Sequence, residues 1–332
     1  MSRWYNFTMQ DGFGRTIDYM RVSVTDKCNL RCIYCMPPEG VEWVPHSEIL
    51  SFEEMLRICA AAVELGINKF KITGGEPLVR RGLTSFIRSL KRVRGIESVT
   101  LTTNALVLGD FLDEIVDAGI DAVNISLDTL NAEVFRHITR SDGFEKVMRS
   151  VRLALNSRLT LKINCVPARG VNDDDIVPLA ELARRENIAV RFIELMPLGL
   201  GANLFPVPQA EVFERLRQAF GDLQAFDGQL GNGPASYYSA AGFVGKIGFI
   251  SAISHNFCGF CSRLRLTSAG ILRPCLASDM GVDLKAVIRS GGDAAAITGT
   301  LRAAILLKPM MHDFYKNGGN QHKKNSMFRI GG

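Results

Sequence analysis

Apolar and polar residues alternate along the first two thirds of the chain in two patterns, one typical of β-strands and one typical of amphipathic helices. Strands are predicted at residues 19–24, 69–73, 99–103, 122–127, 161–166 and 190–195. Helices are predicted between and after them, at residues 52–65, 84–93, 111–118, 144–155, 176–185 and 210–220. This repeated alternation predicts a parallel sheet with right-handed crossovers, because parallel neighbours need a long connection between them.

The number of strand–helix units predicts the fold class. Six units favour an α/β fold, a partial (β/α)6 TIM-like barrel that is left open on one side, with a doubly wound open sheet as the alternative. The alternation stops near Gly221, and a Gly-rich stretch at residues 227–233 follows. We therefore predict a core over residues 1–221 and a C-terminal region over residues 222–332 that closes the open side.

Unusual residues collect where the predicted strands end. A loop with three cysteines follows the first strand, and Thr-Gly-Gly-Glu-Pro at residues 73–77 follows the second. Thr102, Ser126 and Met196 lie at or beside the ends of the third, fourth and sixth strands. Each residue alone also fits an ordinary turn, strand end or core position. Together they indicate an active site, because such barrels carry function at the carboxyl ends of their strands.

The first cysteine set is Cys28, Cys32 and Cys35, with the spacing Cys-x3-Cys-x2-Cys. Thiolates favour zinc, copper(I) and iron–sulfur clusters, and a closed cluster is normally held by four of them. Zinc motifs usually pair Cys-x2-Cys with a second, distant pair, so this spacing favours iron–sulfur over zinc. A cubane held by three thiolates has one iron free to bind another molecule.

The second cysteine set is Cys258, Cys261 and Cys275, again with no evident fourth ligand. A zinc knuckle completed by His255 is one interpretation of this set. Two incomplete sets in one chain favour a second iron–sulfur cluster, also with an open iron. Thiols that must stay reduced to hold metal indicate a cytoplasmic location.

Composition and charge narrow the function classes. The 332 residues are 47% hydrophobic, with a net charge of +5. No apolar run approaches the roughly 18 residues of a membrane span, and no secretory signal opens the chain. There is no signature of nucleic-acid binding, so the basic residues near the motifs suggest a small anionic ligand.

With these motifs in view, the chain resembles the radical S-adenosylmethionine (SAM) enzymes and, among them, the GTP 3′,8-cyclase family of molybdenum cofactor biosynthesis. The similarity runs nearly end to end. The stretches that carry it are Arg-Val-Ser-Val-Thr-Asp-Lys-Cys at 21–28, Ile-Thr-Gly-Gly-Glu-Pro at 72–77, Leu-Thr-Thr-Asn at 101–104, Ile-Ser-Leu-Asp at 125–128, Arg-Phe-Ile-Glu-Leu-Met at 191–196, Cys-Ser-Arg-Leu-Arg at 261–265, Leu-Arg-Pro-Cys at 272–275 and the final Gly-Gly.

The resemblance implies two [4Fe–4S] clusters and SAM as cofactors, the first cluster on Cys28, Cys32 and Cys35. The residues implied to contact SAM are Tyr34, Gly75, Ser126 and Met196. A 5′-deoxyadenosyl radical would take the C3′ hydrogen of the GTP ribose, and the C3′ carbon would then bond to C8 of guanine. The implied product is 3′,8-cyclo-7,8-dihydro-GTP.

The resemblance also implies the residues that hold GTP. The second cluster, on Cys258, Cys261 and Cys275, would bind guanine. The positions that match GTP contacts are Arg21, Lys69, Lys71, Thr102, Lys162, Arg191, Arg263 and Arg265. The family usually has Arg where this chain has Lys71, so the charge is kept and the two-pronged contact is lost. Gly331 and Gly332 would reach into the active site and take part in catalysis.

Partners and alternatives complete the expectations. The family suggests a flavodoxin- or ferredoxin-like electron donor, a homodimer, and transfer of the product to cyclic pyranopterin monophosphate synthase. One alternative is another radical SAM enzyme with an auxiliary cluster, such as a peptide-modifying one. The alternative from a different class is a zinc-binding nucleic-acid module.

Overall fold

The computed structural model describes residues 8–314 and 327–331. Six parallel strands form the centre of the fold, each from a short stretch of alternating residues: β1 (Tyr19–Ser23), β2 (Lys69–Thr73), β3 (Ser98–Thr103), β4 (Ala122–Ser126), β5 (Thr160–Cys165) and β6 (Ala189–Ile193). All six predicted strands are confirmed, with ends that differ by no more than about two residues, the usual uncertainty of such boundaries.

The C-terminal region adds strands to both edges of the same sheet. After β7 (Gln224–Phe226) and β8 (Ser236–Ser239), β9 (Lys246–Ile250) pairs parallel with β6. On the opposite edge β10 (Arg263–Leu266) pairs parallel with β1, followed by the antiparallel β11 (Ile271–Arg273) and β12 (Val282–Asp283). The order is β12-β11-β10-β1-β2-β3-β4-β5-β6-β9-β8-β7, so the described sheet is an open partial barrel.

Helices cover the outer face of the sheet. They are α1 (Phe52–Val63), α2 (Leu83–Lys91), α3 (Leu108–Asp117), α4 (Ala132–Thr139), α5 (Phe144–Leu155), α6 (Ile176–Arg185) and α7 (Gln209–Phe220), then α8 (Leu284–Arg289), α9 (Ala294–Leu306) and α10 (Met327–Ile330). Helix α1 begins with a capping box in which Ser51 and Glu54 satisfy each other's backbone N–H groups. No helix of the described ranges is both long and apolar enough to cross a bilayer.

The two faces of the strands differ in chemistry. Outward side chains such as Met20, Phe70 and Val99 are fully buried against the helices. The alternate positions, such as Arg21 and Lys71, face the lumen, because successive side chains of a strand point to opposite faces. A parallel sheet is usually apolar on both faces, so this polar lumen indicates a ligand site.

The fold also differs from the prediction in two ways. Helix α4 was not predicted; it adds a second helix between β4 and β5. The residues after Gly221 continue the sheet and also line the central cavity, so they enclose the open side from both edges. Where the chain divides into domains stays a prediction.

Candidate active site

The first cysteine set lies in the loop after β1, held against the loop after β2. The backbone N–H of Gly75 donates to the Thr25 carbonyl at 2.8 Å, and that of Glu76 donates to the Lys27 carbonyl at 2.8 Å. A Cβ on Gly74 would lie 2.7 Å from the Thr25 carbonyl oxygen, and one on Gly75 would overlap the Lys27 carbonyl. The glycine pair is therefore required for the two loops to pack together.

Glu76 fixes the loop after β2 through hydrogen bonds to its own loop and to the end of β3. Its buried carboxylate accepts hydrogen bonds from the Thr103 hydroxyl at 2.7 Å, the Asn104 N–H at 2.7 Å and the Leu78 N–H at 3.1 Å. Burial raises the pKa of this carboxyl to about 7, although the three donors pull it back. Glu76 thus ties the ends of β2 and β3 together beneath the cysteine loop.

The thiols of the first set fit an iron–sulfur cluster. Cys28 Sγ accepts an N–H from Leu30 at 3.5 Å, with the Asn104 amide at 3.8 Å, and such donors stabilise cluster sulfurs. Burial raises the pKa of Cys28 to about 11 and that of Cys35 to about 12. Burial also raises the pKa of Cys32, and the nearby Cys35 and Cys28 raise it further. Three close, desolvated thiols need positive charge to ionise, and iron supplies it.

The second cysteine set has its own cationic surroundings. Burial raises the pKa of Cys261, but Arg263 and Lys308 outweigh it and lower that pKa to about 6. The Lys308 ammonium donates to the carbonyl oxygens of Arg263 and Pro274, both at 2.7 Å. This set therefore favours bound thiolates.

The zinc alternative finds no support in this geometry. Within residues 8–314 and 327–331, no group of three or more His, Cys, Asp or Glu side chains is arranged to hold a single metal ion. His255, the proposed fourth zinc ligand, is exposed and contacts the Ser254 hydroxyl at 3.1 Å.

Both cysteine sets line one cavity of about 340 Å³ inside the barrel. The predicted SAM contacts Tyr34, Gly75, Ser126 and Met196 all lie in its wall. The Tyr34 hydroxyl donates to Asp128 Oδ2 at 2.5 Å, which fixes the ring beside the first set. The structure thus brings the two cysteine sets and the predicted SAM residues together.

Cations line the same cavity. The predicted GTP contacts found in its wall are Arg21, Lys71, Thr102, Arg191, Arg263 and Arg265. Burial lowers the pKa of Lys71, and the nearby Arg191, Arg21, Lys162 and Arg263 lower it further. In the described parts of the chain no ion pair involves Lys71, Arg191 or Arg265. Such mutually repelling charges are stabilised by a bound polyanion.

Two predicted GTP contacts lie outside the lining of this cavity. Lys69, the first residue of β2, pairs with Asp18 Oδ2 at 2.6 Å. Lys162 is buried in the first half of β5 and donates to the Leu230 carbonyl. Both lie toward the amino ends of their strands, at the mouth opposite to the cysteines.

The end of the chain enters the active site. Met327 and Phe328 of α10 line the cavity, and Arg265 Nη1 donates to the Gly331 carbonyl at 2.6 Å. Gly331 has φ +76°, and a Cβ there would lie 3.0 Å from Thr73 Cγ2. Gly332, also predicted to act in catalysis, lies outside the described residues.

Sequence reasoning missed several residues of the site. Asp128 and Glu76 stood inside quoted motifs, yet neither was assigned a role; a carboxylate at a strand end was the available signal. Lys308 carried no signal, because it follows α9 at a distance from every motif. Its position beside Cys261 becomes visible only in three dimensions.

Comparison with known proteins agrees with this site. Residues 22–183 match the radical SAM superfamily, and residues 188–314 match the molybdenum cofactor synthesis C family. The GTP 3′,8-cyclase of Heliobacterium modesticaldum is 45% identical over 329 residues, covering 98% of this chain and 100% of the relative. The GTP 3′,8-cyclase of Desulforamulus reducens is 45% identical over 309 residues, covering 92% and 95%.

A solved structure shows the same fold at low identity. Streptococcus suis SuiB bound to its precursor peptide SuiA superposes with a TM-score of 0.60 at 13% identity, covering 93% of this chain and 73% of SuiB. That likeness concerns the fold alone. The full-length relatives and the two matched families show that the chain belongs to the radical SAM superfamily and, within it, to the family of GTP 3′,8-cyclases.

Proposed function

We propose that this chain converts GTP to 3′,8-cyclo-7,8-dihydro-GTP, the first step of molybdenum cofactor biosynthesis. One observation supports this most strongly. A single cavity is lined by two cysteine sets and by cations, of which Lys71, Arg191 and Arg265 form no ion pair with the described side chains. A nucleoside triphosphate would suit this cavity, because its base could bind at a cysteine set and its negatively charged phosphates could bind the cations.

The first cysteine set is proposed to hold the cluster that works with SAM. SAM and an iron–sulfur cluster are the cofactors of the superfamily to which the chain belongs. When bound, they supply the 5′-deoxyadenosyl radical that abstracts the hydrogen from C3′ of the ribose. Tyr34, Gly75, Ser126 and Met196 line the adjoining wall and would hold SAM there.

The second cysteine set is proposed to hold a second [4Fe–4S] cluster that binds guanine. The proposed count of two clusters rests on the presence of three free cysteines in each set. Arg263 and Lys308 provide positive charge beside Cys261 and would stabilise bound thiolates. Fixing the base in this way would hold C8 near C3′, so that ring closure needs little further ordering.

The lumen cations are proposed to bind the triphosphate. Arg21, Lys71, Arg191, Arg263 and Arg265 line the wall between the cysteine sets and the lower part of the barrel. Arginine forks suit phosphate oxygens bidentately. Thr102 has a buried hydroxyl oxygen without a hydrogen-bond partner in the described structure and can take a further contact. Lys69 and Lys162 would reach phosphates only at the amino-end mouth.

The proposal also covers the electron donor, the oligomeric state, the enzyme that receives the product and the cellular location. A flavodoxin- or ferredoxin-like protein would supply electrons, and the chain would act as a homodimer. The product would pass to cyclic pyranopterin monophosphate synthase. A cytoplasmic location follows from the need to keep the six cluster thiols reduced.

Product analysis tests the proposal directly. The anaerobically purified protein is incubated with GTP, SAM and dithionite, and the products are separated by chromatography and identified by mass spectrometry. We expect 3′,8-cyclo-7,8-dihydro-GTP and 5′-deoxyadenosine, both dependent on GTP. Formation of 5′-deoxyadenosine with a peptide but not with GTP would instead favour a peptide-modifying enzyme.

A further inference from the structure

His312 lies in the wall of the main cavity, beside the second cysteine set. The same wall contains Cys258, Cys261 and Cys275. Burial raises the pKa of Cys258, and a hydrogen bond from the backbone N–H of His312 to its sulfur pulls that pKa back. His312 is therefore in direct contact with one of the three cysteines that are proposed to hold the second cluster.

Two contacts fix the orientation of the His312 ring. Its Nε2 lies 2.8 Å from the Ala252 carbonyl oxygen, and the ring packs on that of Phe314 with the ring centres 4.6 Å apart. A carbonyl oxygen can only accept a hydrogen bond, so Nε2 carries the hydrogen and donates it. In a neutral imidazole the other nitrogen, Nδ1, is then a hydrogen-bond acceptor.

The backbone segment that binds the His312 ring is itself held in place. Glu194 directly follows β6, and its Oε2 accepts from the N–H groups of Ile253 at 2.8 Å and Ser254 at 2.9 Å. The preceding residue, Ala252, is buried and also lines the main cavity. The ring of His312 is thus positioned before a ligand binds, so that binding requires little further ordering.

The acceptor nitrogen of this ring is unpaired. His312 Nδ1 is buried and has no hydrogen-bond partner among the residues that the structure describes. Most buried polar atoms in proteins are paired, because an unpaired one lowers stability. A ligand that brings an N–H or O–H group to Nδ1 would remove this cost, so His312 is suited to bind a hydrogen-bond donor of the substrate.

Guanine carries a donor of this kind close to the atoms that could bind an open iron. The iron takes a lone pair from a ring nitrogen or from the oxygen of the base. The lone pair of the 2-amino group is delocalised into the ring, so this group donates hydrogen bonds and does not bind the metal. It adjoins both N1 and N3, and adenine and hypoxanthine have only a hydrogen at the same carbon. An acceptor beside the second cysteine set can therefore distinguish guanine from both of these bases.

We propose that His312 Nδ1 accepts a hydrogen bond from the 2-amino group of guanine and makes the site selective for GTP over inosine triphosphate (ITP). ITP has the ribose, the phosphates and the ring atoms of GTP and lacks only the 2-amino group. This inference rests on the proposed function, because it assumes that the base of the nucleotide binds at the second cysteine set.

Nucleotide binding by two matched variants tests this contact. Gln can place an amide N–H near the position of His312 Nε2 and keep the bond to Ala252, but it has no acceptor at the position of Nδ1. Asn can place its amide oxygen near the position of Nδ1 but is too short to reach Ala252. Affinities for GTP and ITP are measured by anaerobic calorimetry on the cluster-loaded full chain.

We expect the unmodified protein to bind GTP about tenfold more tightly than ITP, because ITP leaves the buried acceptor unpaired. His312→Gln should bind GTP and ITP with affinities within about twofold of each other, since only the binding of GTP is weakened. His312→Asn should keep the preference for GTP although it melts at a lower temperature, because it loses the bond to Ala252 and retains the acceptor.

The control for the loss of a histidine is His46→Ala. His46 is exposed and is not among the residues that line the main cavity, so this variant should keep the ratio of GTP to ITP affinity. Iron analysis verifies that each variant contains as much iron as the unmodified protein. If His312→Gln fails this check, His312→Ala removes the same acceptor without adding atoms to the site.

The outcomes separate the two proposals. Equal affinities of the unmodified protein for GTP and ITP, or an unchanged preference for GTP in His312→Gln, overturn the role of His312 while GTP cyclisation stands. Complete loss of the preference in His312→Asn also overturns it, because the bond to Ala252 would then be what matters. Failure of the unmodified protein to bind GTP overturns the proposed function itself.

Discussion

At the scale of single residues, Gly331 shows how the end of the chain is fitted into the active site. Its carbonyl accepts from Arg265, its φ is +76°, and an added Cβ would press on Thr73 and Ser23 at 3.0 and 3.1 Å. We expect Gly331→Ala to displace Arg265 and to lower the rate of GTP cyclisation by tenfold or more, about what a small misplacement costs. SAM binding should be unchanged, and single-turnover product formation measures the effect.

Gly242→Ala, in the exposed turn between β8 and β9, is the control for this change. It carries the same left-handed strain of about 1 kcal/mol without any steric contact. Equal cyclisation rates in the two variants would show that the Gly331 contact is structural only.

The stability of the folded protein should depend on pH through Glu76, and the raised pKa of this carboxyl gives the direction of the dependence. Its folded-state pKa is about 7, against an ordinary value of 4.5. Between these values the folded state binds the proton more tightly than the unfolded state. The stability contributed by this group is therefore full below about pH 4.5 and is lost as the pH rises through about 7.

The variant Glu76→Gln isolates this contribution. Gln cannot ionise, so the difference in free energy of unfolding between native protein and variant should shrink from pH 5 to pH 8, by at most about 3 kcal/mol. Gln should also destabilise the protein at every pH by about 1–3 kcal/mol, because its NH₂ group faces donors that need an acceptor. Urea denaturation at the two pH values measures both effects. A constant difference would mean that Glu76 is ionised throughout.

At the scale of secondary-structure elements, local pattern predicted the central strands and missed what depends on distant partners. Each of the strands β1 to β6 has apolar side chains buried on its outer face, and these produce the alternation of apolar and polar residues in the sequence. The alternating Arg-Leu-Arg-Leu of β10 was interpreted as a binding motif, although Leu264 and Leu266 are fully buried. Its pairing with β1 joins residues more than 240 positions apart, and no local pattern records such a contact.

Helix α4 was missed because one helix per strand was expected, yet it anchors the first cysteine loop. The Arg31 and Ile33 N–H groups donate to the carbonyls of Thr139 and Ile138 at the end of this helix. The next residue, Arg140, donates from Nη1 to the carbonyls of Arg31 at 2.7 Å and Met36 at 2.9 Å. These bonds flank Cys32 and Cys35.

We therefore expect Arg140→Ala to loosen the first cluster. Loss of the two bonds should speed the release of iron to a chelator several-fold, because each contributes roughly 1 kcal/mol to the closed loop. Arg149→Ala, on the exposed face of α5, is the control. Iron release followed by absorbance would contradict the anchoring role if the two variants behave alike.

At the scale of the whole molecule, the sequence predicted which residues meet at the carboxyl ends of the strands. It did not predict which cations lie outside the main cavity. Strand-end motifs meet at one mouth because parallel strands share their carboxyl ends, and this follows from topology alone. The amino-end mouth was not considered, so Lys69 and Lys162 were grouped with the other cations although they lie apart from the main cavity. The loop at residues 227–235 was recognised only as a Gly-rich stretch, because the hydrogen bond from Asn232 to Ser98 joins residues 134 positions apart.

The two cysteine sets are supported by separate parts of the molecule. The first is held by α4 and by the loop after β2. The second is held by Arg15, whose Nη1 donates to the Cys258 carbonyl at 2.8 Å and whose Nη2 donates to the Pro309 carbonyl at 2.7 Å. Because the hydrogen bonds described for the two loops come from different elements, we expect loss of one cluster to leave the other assembled.

This independence predicts the behaviour of two matched variants. The unmodified protein should contain about eight iron atoms, and Cys28→Ala and Cys275→Ala about four each. Cys275→Ala should still bind SAM but give no cyclised product, because guanine has lost its anchor; Cys28→Ala should still bind GTP but cleave no SAM. Iron analysis, SAM binding and GTP binding on the same preparations distinguish these cases. Full cyclisation by Cys275→Ala would remove the second cysteine set from the reaction.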